Sequence, residues 1–236
     1  MQIEGVQKLT LLDFPGQVAC TVFTPGCNFR CPFCHNSDLL GKEGPEGMSV
    51  EELLEFLKKR QGLLDGVCIT GGEPTLQPGL EDLLVKIRAL GFAVKLDTNG
   101  GRPEVLMDLA QKGLIDYVAM DIKNSPELYG KTAGVPNMGL ERIEKSMRFL
   151  LTGELDYEFR TTVVAEFHDG ASMENIGLWL KKLSPEKKAK RFFLQSYVDR
   201  DSVLEAGLHA PEKVEMACYA EILAPFVESV QVRGVE

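Results

Sequence analysis

Apolar residues recur along this chain in two rhythms that take turns. Short runs rich in β-branched residues alternate with longer stretches in which leucine and isoleucine fall every three or four positions. The run at residues 18–23, Val-Ala-Cys-Thr-Val-Phe, ends at Pro25-Gly26 and predicts a buried strand, preceded by a lead-in extended over residues 7–14. Ser49-Val50-Glu51-Glu52 then makes a capping box, and Val50, Leu53, Leu54 and Leu57 follow at helical spacing. A second strand at residues 66–70 closes with Gly71-Gly72-Glu73-Pro74, and the helix that carries Leu80, Leu83, Leu84 and Ile87 stops at Gly91. A third strand, residues 93–96, ends in Asp97-Thr98-Asn99-Gly100. After a helix at 104–112 a fourth strand, residues 117–120, ends in Asp121-Ile122-Lys123.

The second half keeps the rhythm. Residues 124–138 have no periodicity and read as a long loop containing Tyr129 and Lys131. A helix at 140–151 leads to a fifth strand at 157–164, whose alternation sets Glu158, Arg160 and Thr162 on one face. A helix at 173–183, with Trp179 as a packing residue, precedes a sixth strand at 192–197 that carries Gln195. A helix at 211–223 and a final strand at 229–232 follow.

Strand, polar strand end, helix, glycine: this repeat predicts a parallel sheet with right-handed crossovers, so all the polar ends collect on one rim. Burying Glu158, Arg160 and Thr162 inside a closed, dry barrel would be costly. The expected fold is therefore α/β, a partial (β/α)6 barrel open on one side, with residues 1–236 as a single domain.

Composition narrows the function by exclusion. The 236 residues are 44% hydrophobic and 26% charged, which suits one globular core. A formal net charge of -9 argues against a nucleic-acid partner, and the basic run from Lys181 to Arg191 reads as a solvated helix end and loop. No apolar run approaches bilayer length and the first residues lack a signal pattern, so no membrane association and a cytoplasmic setting are expected.

The chemistry lies in one loop. Cys27, Cys31 and Cys34 follow a C-x3-C-x2-C spacing, so a short segment can wrap three thiolates around one metal centre. A four-iron cluster held this way keeps one iron open for another ligand. A Cys3His zinc site recruiting His35 is the rival, although a histidine directly after the last cysteine is awkward for it. Disulfides suit three closely spaced thiols poorly. Cys20 and Cys68 sit within strands and read as small core residues, Cys218 lies on the last helix, and His168 and His209 read as surface or loop positions.

The cysteine spacing, with Phe33 before the last cysteine, together with Gly71-Gly72-Glu73-Pro74, resembles the radical S-adenosylmethionine superfamily. Leu12-Asp13-Phe14-Pro15-Gly16, Cys34-His35-Asn36, Asp97-Thr98-Asn99-Gly100 and Asp121-Ile122-Lys123 extend the likeness to the enzymes that activate glycyl-radical enzymes. The form most similar activates anaerobic ribonucleoside-triphosphate reductase; pyruvate formate-lyase activation is the nearest alternative, and a non-catalytic iron-sulfur or zinc module the distant one. The resemblance implies one [4Fe-4S] cluster on Cys27, Cys31 and Cys34, since no cysteine stands between Cys34 and Cys68. It implies that the open iron chelates S-adenosylmethionine, and that a reduced cluster passes an electron to the sulfonium. A 5'-deoxyadenosyl radical then takes a hydrogen from a glycine of the partner.

By the same likeness Gly71, Gly72 and Glu73 meet the methionine amino group and Arg160 its carboxylate, and Lys123 is among the residues that bind the cofactor. Asp97, Thr98 and Asn99 stand at the ribose, Phe33 beside the adenine and Gln195 across from it. Asp97, Thr98 and Asp121 are implied to hold a monovalent cation, although each carboxylate taken alone reads equally as a strand-end cap or ion pair. An electron donor such as flavodoxin or ferredoxin is implied as a further partner. Gln195-Ser196-Tyr197-Val198 lacks the histidine found there in some pyruvate formate-lyase activases, which leans the resemblance toward the reductase activator.

Overall fold

A computed structural model describes residues 1–41 and 47–235. The chain divides into two compact units. One comprises Met1–Asn28, Asn36–Thr98 and Arg102–Ala119; the other comprises Phe29–His35, Asn99–Gly101 and Met120–Glu236.

In the first unit the strands β1 (Gly5–Thr10), β2 (Ala19–Thr24), β3 (Gly66–Gly71) and β4 (Ala93–Thr98) lie side by side in chain order. β2 and β3 run parallel, with Ala19 opposite Gly66, and β3 and β4 run parallel, with Gly66 opposite Ala93. Both faces of β2 are buried, as continuous apolar strands of parallel sheets require. The lead-in is a finding of its own: β1 pairs antiparallel with β2 through a short connection, where the repeat had predicted only parallel neighbours.

Helix α1 (Val50–Lys58) starts as the sequence predicts. The Ser49 hydroxyl accepts the Glu52 amide, and the Glu52 carboxylate accepts the Ser49 amide. Such a cap is worth about 1 kcal/mol. Leu53 and Leu57 are the buried stripe. Helices α2 (Leu80–Ala89) and α3 (Pro103–Gln111) follow β3 and β4, and Gly91 and Gly113 take positive φ just past them. Phe14, Ala19 and Tyr117 pack as one cluster, with the two rings 6.0 Å apart.

β5 (Tyr117–Asp121) begins in the first unit and ends in the second. The second unit holds β6 (Asp156–Val163), β7 (Ala189–Ser196) and β8 (Val227–Arg233), parallel and in chain order. A one-turn helix, α4 (Tyr129–Thr132), interrupts the segment that lacks periodicity. The longer helices are α5 (Glu141–Thr152), α6 (Gly170–Leu183) and α7 (Lys213–Leu223). The α6 cap, Asp169 with Ser172, reproduces a capping box with a serine in the third helical position. Trp179 is buried as expected, and its indole N–H donates to Glu144 Oε1 at 2.9 Å.

Candidate active site

In the first unit the candidate residues stand at the C-terminal ends of β3 and β4 and in the segment after β2. Gly72 N–H donates to Thr24 O at 2.8 Å and Glu73 N–H to Gly26 O at 2.7 Å, so the turn after β3 lies flat against residues 24–26. A Cβ at Gly72 would run into the Gly26 carbonyl, and one at Gly71, whose φ is +114°, into Thr24 backbone. These glycines are therefore required by backbone approach. Cys27 follows directly on this contact and is half-buried.

Within residues 71–73 the carbonyls are sorted. Gly71 O accepts the Asn36 side-chain amide at 3.1 Å and Glu73 O accepts the Leu76 amide. Neither bond takes the Gly72 carbonyl. Glu73 is buried, and its Oε1 accepts the Thr75 amide, the Thr75 hydroxyl and the Thr98 hydroxyl, the last at 2.8 Å. Its carboxylate thus ties the ends of β3 and β4 together.

Asp97 has a partner that the sequence reading missed. Lys95 is 1% exposed, its ammonium is ion-paired with Asp97 Oδ1, and Cys68 Sγ lies 3.8 Å from it. Strand alternation held the signal, because residues two apart on β4 share a face.

In the second unit the candidate residues stand in residues 29–35 and at the ends of β5, β6 and β7. Cys31 is buried and Cys34 half-buried, and neither is in a disulfide. Arg30 N–H donates to Ala133 O at 2.9 Å, and a Cβ at Gly134 would run into the Arg30 carbonyl. On another side, Glu205 N–H donates to Pro32 O at 3.0 Å, Ser202 Oγ to His35 O at 3.1 Å, and His35 Nε2 lies 2.8 Å from Val198 O. The His35 ring stacks on Tyr197 at 5.6 Å. The loop is held by the segment after β7 and by the one after α4. Phe33 is buried against Phe167, rings 6.0 Å apart, and Lys131 stands over Phe167.

Asp121, at the end of β5, accepts from Lys123 Nζ on one oxygen and Arg160 Nε on the other, both at 3.0 Å. Burial alone would raise its pKa, but the Lys123 and Arg160 charges outweigh it and hold the carboxyl at about 2. Burial works against the Lys123 ammonium, yet Asp121 first and then the Cys31 sulfur raise its pKa well above the ordinary lysine range. Arg160 and Lys123 therefore present fixed positive charge at this strand end.

Asn99 is buried, and its Oδ1 accepts the Gly101 amide at 2.8 Å. Gly100 has φ +74°, with the Met120 side chain where a Cβ would stand. The turn after β4 therefore needs this glycine. Gln195 is exposed on β7, in register with Thr162 and Arg233. Glu158, on the same face of β6 as Arg160, is buried, with Arg233 Nη1 3.8 Å away.

His168 corrects the sequence reading. It lies in the turn after β6, as a loop residue, but is 3% exposed rather than on the surface, with its ring between Val164 and Lys123. Its Nδ1 accepts the Val164 amide at 3.1 Å, which leaves Nε2 to donate to Lys123 O at 2.9 Å. It is the neutral tautomer that fits this pair, and burial holds its pKa below the usual imidazole value. His209 is exposed, as expected, and pairs with Glu166. No helix among the described residues is long and apolar enough to cross a membrane.

Comparison with known proteins fits this arrangement. The radical SAM superfamily matches residues 21–164. A Methanocaldococcus jannaschii protein that carries the name of a glycyl-radical enzyme activating enzyme is 31% identical over 99% of this chain and 96% of its own length. The pyruvate formate-lyase-activating enzyme of Clostridium pasteurianum is 34% identical over 52% of each chain. Among solved structures, Streptococcus suis SuiB bound to S-adenosylmethionine superposes with a TM-score of 0.69 over 91% of this chain and 52% of its own, at 14% identity. A domain of a Bacteroides vulgatus pyruvate-formate lyase-activating enzyme does so with 0.58 over 72% and 99%, at 21% identity. The fold is the expected α/β one, with an open parallel sheet, and the chain belongs to the radical SAM superfamily, as an enzyme of the kind that activates glycyl-radical enzymes.

Proposed function

We propose that this chain installs the glycyl radical of an anaerobic ribonucleoside-triphosphate reductase. The observation that carries the chemical part is the loop of residues 27–34. It puts three thiols within eight residues, none in a disulfide, with no histidine or carboxylate between them. This donor set suits an iron-sulfur cluster with one open iron. When bound and reduced, the cluster supplies the electron that cleaves S-adenosylmethionine to methionine and a 5'-deoxyadenosyl radical.

The chain's own residues bind, orient and shield. The Gly72 carbonyl is the acceptor best placed for the methionine amino group, because its neighbours' carbonyls already accept Asn36 and Leu76. Arg160 and Lys123 offer charge-assisted donors for the carboxylate. Asp121 offsets one of these two charges, which leaves a net positive charge to meet the carboxylate. Asp97 and Asn99 are the polar groups for the ribose. Phe33 lines the adenine side as a wall fixed by Phe167 rather than as an open platform. Hydrogen abstraction needs no general base, and none of these groups is poised as one.

The choice of reductase rests on the sequence after β7. Tyr197 and Val198 engage His35 there, where some pyruvate formate-lyase activases carry a histidine of their own. The Clostridium relative keeps pyruvate formate-lyase activation as the second reading.

The test is anaerobic reconstitution with iron and sulfide, then a strong reductant and S-adenosylmethionine. The expected product is 5'-deoxyadenosine, and an intact cluster that yields none overturns the enzyme reading. Each candidate partner is then added, and a glycyl electron paramagnetic resonance doublet with the reductase and not with pyruvate formate-lyase is expected. The reverse result assigns the second reading.

A further inference from the structure

Family likeness assigns a monovalent cation to Asp97, Thr98 and Asp121, but Lys95 does not leave Asp97 in the state that such an ion needs. Lys95 stands two residues before Asp97 on β4, on the same face. Its side chain is almost wholly buried, and its ammonium is in ion-pair contact with Asp97 Oδ1. A buried ammonium is strongly unfavourable unless an anion and further acceptors surround it, so this pair is a unit. A potassium or sodium ion seated on the same carboxylate would stand close to that ammonium, and like charges repel strongly in a low dielectric.

The other two expected ligands do not favour an added ion either. Thr98 is the next residue along β4 and faces the opposite side from Asp97 by strand alternation. Its hydroxyl donates to Glu73 Oε1 at 2.8 Å. Asp121, in its own unit, has Lys123 on one oxygen and Arg160 on the other. Both carboxylates already have cationic side chains of this chain as partners.

We infer that the Lys95 ammonium takes the place of the monovalent cation, so that binding of S-adenosylmethionine needs no added potassium or sodium. Lys95 acts through Asp97 and is a positioning residue. The inference rests on the S-adenosylmethionine reading above.

The test uses the full, reconstituted chain at constant ionic strength, with tetramethylammonium as the only other cation or partly replaced by potassium or sodium. Equilibrium binding of S-adenosylmethionine to the wild type is expected to change less than about twofold between these salts. In Lys95→Met, binding is expected to weaken in tetramethylammonium and to recover about tenfold or more with potassium or sodium, the scale of one restored charge partner. The melting temperature of the cluster-free chain gives a second readout: potassium should raise it for Lys95→Met and leave the wild type unmoved.

A wild type that loses about tenfold affinity without alkali ions overturns the proposal. So does a folded Lys95→Met that binds equally well in every salt. If Lys95→Met does not fold, the wild-type arm decides alone. If no variant binds S-adenosylmethionine in any salt, the reading of the site fails, while the melting experiment still reports on Lys95.

Discussion

Cys20 and Cys31 are both buried, yet their surroundings give them different chemistry. Cys20 sits within β2 opposite Val67, and burial pushes its thiol up to about 12, so it stays protonated and inert. Cys31 shares its unit with Lys123, close enough for each to feel the other's charge. Cys218 is exposed on α7. Cys31→Ala is therefore expected to lose essentially all cluster iron after reconstitution, and Cys218→Ala to keep the wild-type amount. Iron analysis and visible absorption check both, and full iron in Cys31→Ala removes that residue from the ligand set. At this scale the sequence was legible where backbone geometry is written in it, as at Gly72, where a Cβ would clash with the Gly26 carbonyl. Lys95 and His168 were not, because a lysine in a strand or a histidine near a loop usually faces water. The burial of Lys95 depends on which face of β4 turns inward, and that of His168 on how the turn after β6 folds back; single residues do not carry that.

Among the elements, helix caps, glycine stops and apolar runs placed the strands and longer helices to within a few residues. The segment 124–138 was not legible, because α4 is a single turn whose stability comes from packing rather than propensity. Tyr129 in it is fully buried, its ring 5.9 Å from that of Trp179. The segment after β7 shows what such stretches do. Through Val198 and Tyr197 it grips the His35 ring, and through Ser202 and Glu205 the cysteine loop itself. Removing that grip in His35→Ala should loosen the loop and speed loss of iron to a chelator by about tenfold, the effect of one hydrogen bond and one ring contact. His35→Gln keeps a donor near the Nε2 position and should recover part of the difference. Equal chelation rates in all three proteins would show that the grip does not hold the loop.

For the molecule as a whole, burial of a neutral imidazole makes stability depend on pH. Native His168 has a lowered pKa, whereas in the unfolded chain it titrates near 6.5. Above that pH both states are neutral and the packing of His168 contributes in full. Below it the unfolded chain takes up a proton that the native chain refuses, so stability falls. One pH unit on this slope is worth about 1 kcal/mol, or about 2–4 °C in melting temperature for a chain of this size. His168→Gln should melt lower than wild type at pH 7.5 and lose less on going to pH 5.5. A loss as large as that of the wild type would mean that His168 is not the group responsible. Subtracting the two melting curves removes the acid response of the carboxylates common to both proteins.

The antiparallel β1 gives the chain an order of assembly. Thr10 meets Ala19 only nine residues along, whereas Ala19 meets Gly66 forty-seven residues along, after α1 has been traversed. Closing the short span costs less chain entropy and hairpins form within microseconds, while the parallel pairing must wait for the longer closure. β1 and β2 can therefore exist as a ribbon before any other strand arrives. The first parallel strand is then added to a template already twisted, with one edge occupied and the other offered to β3.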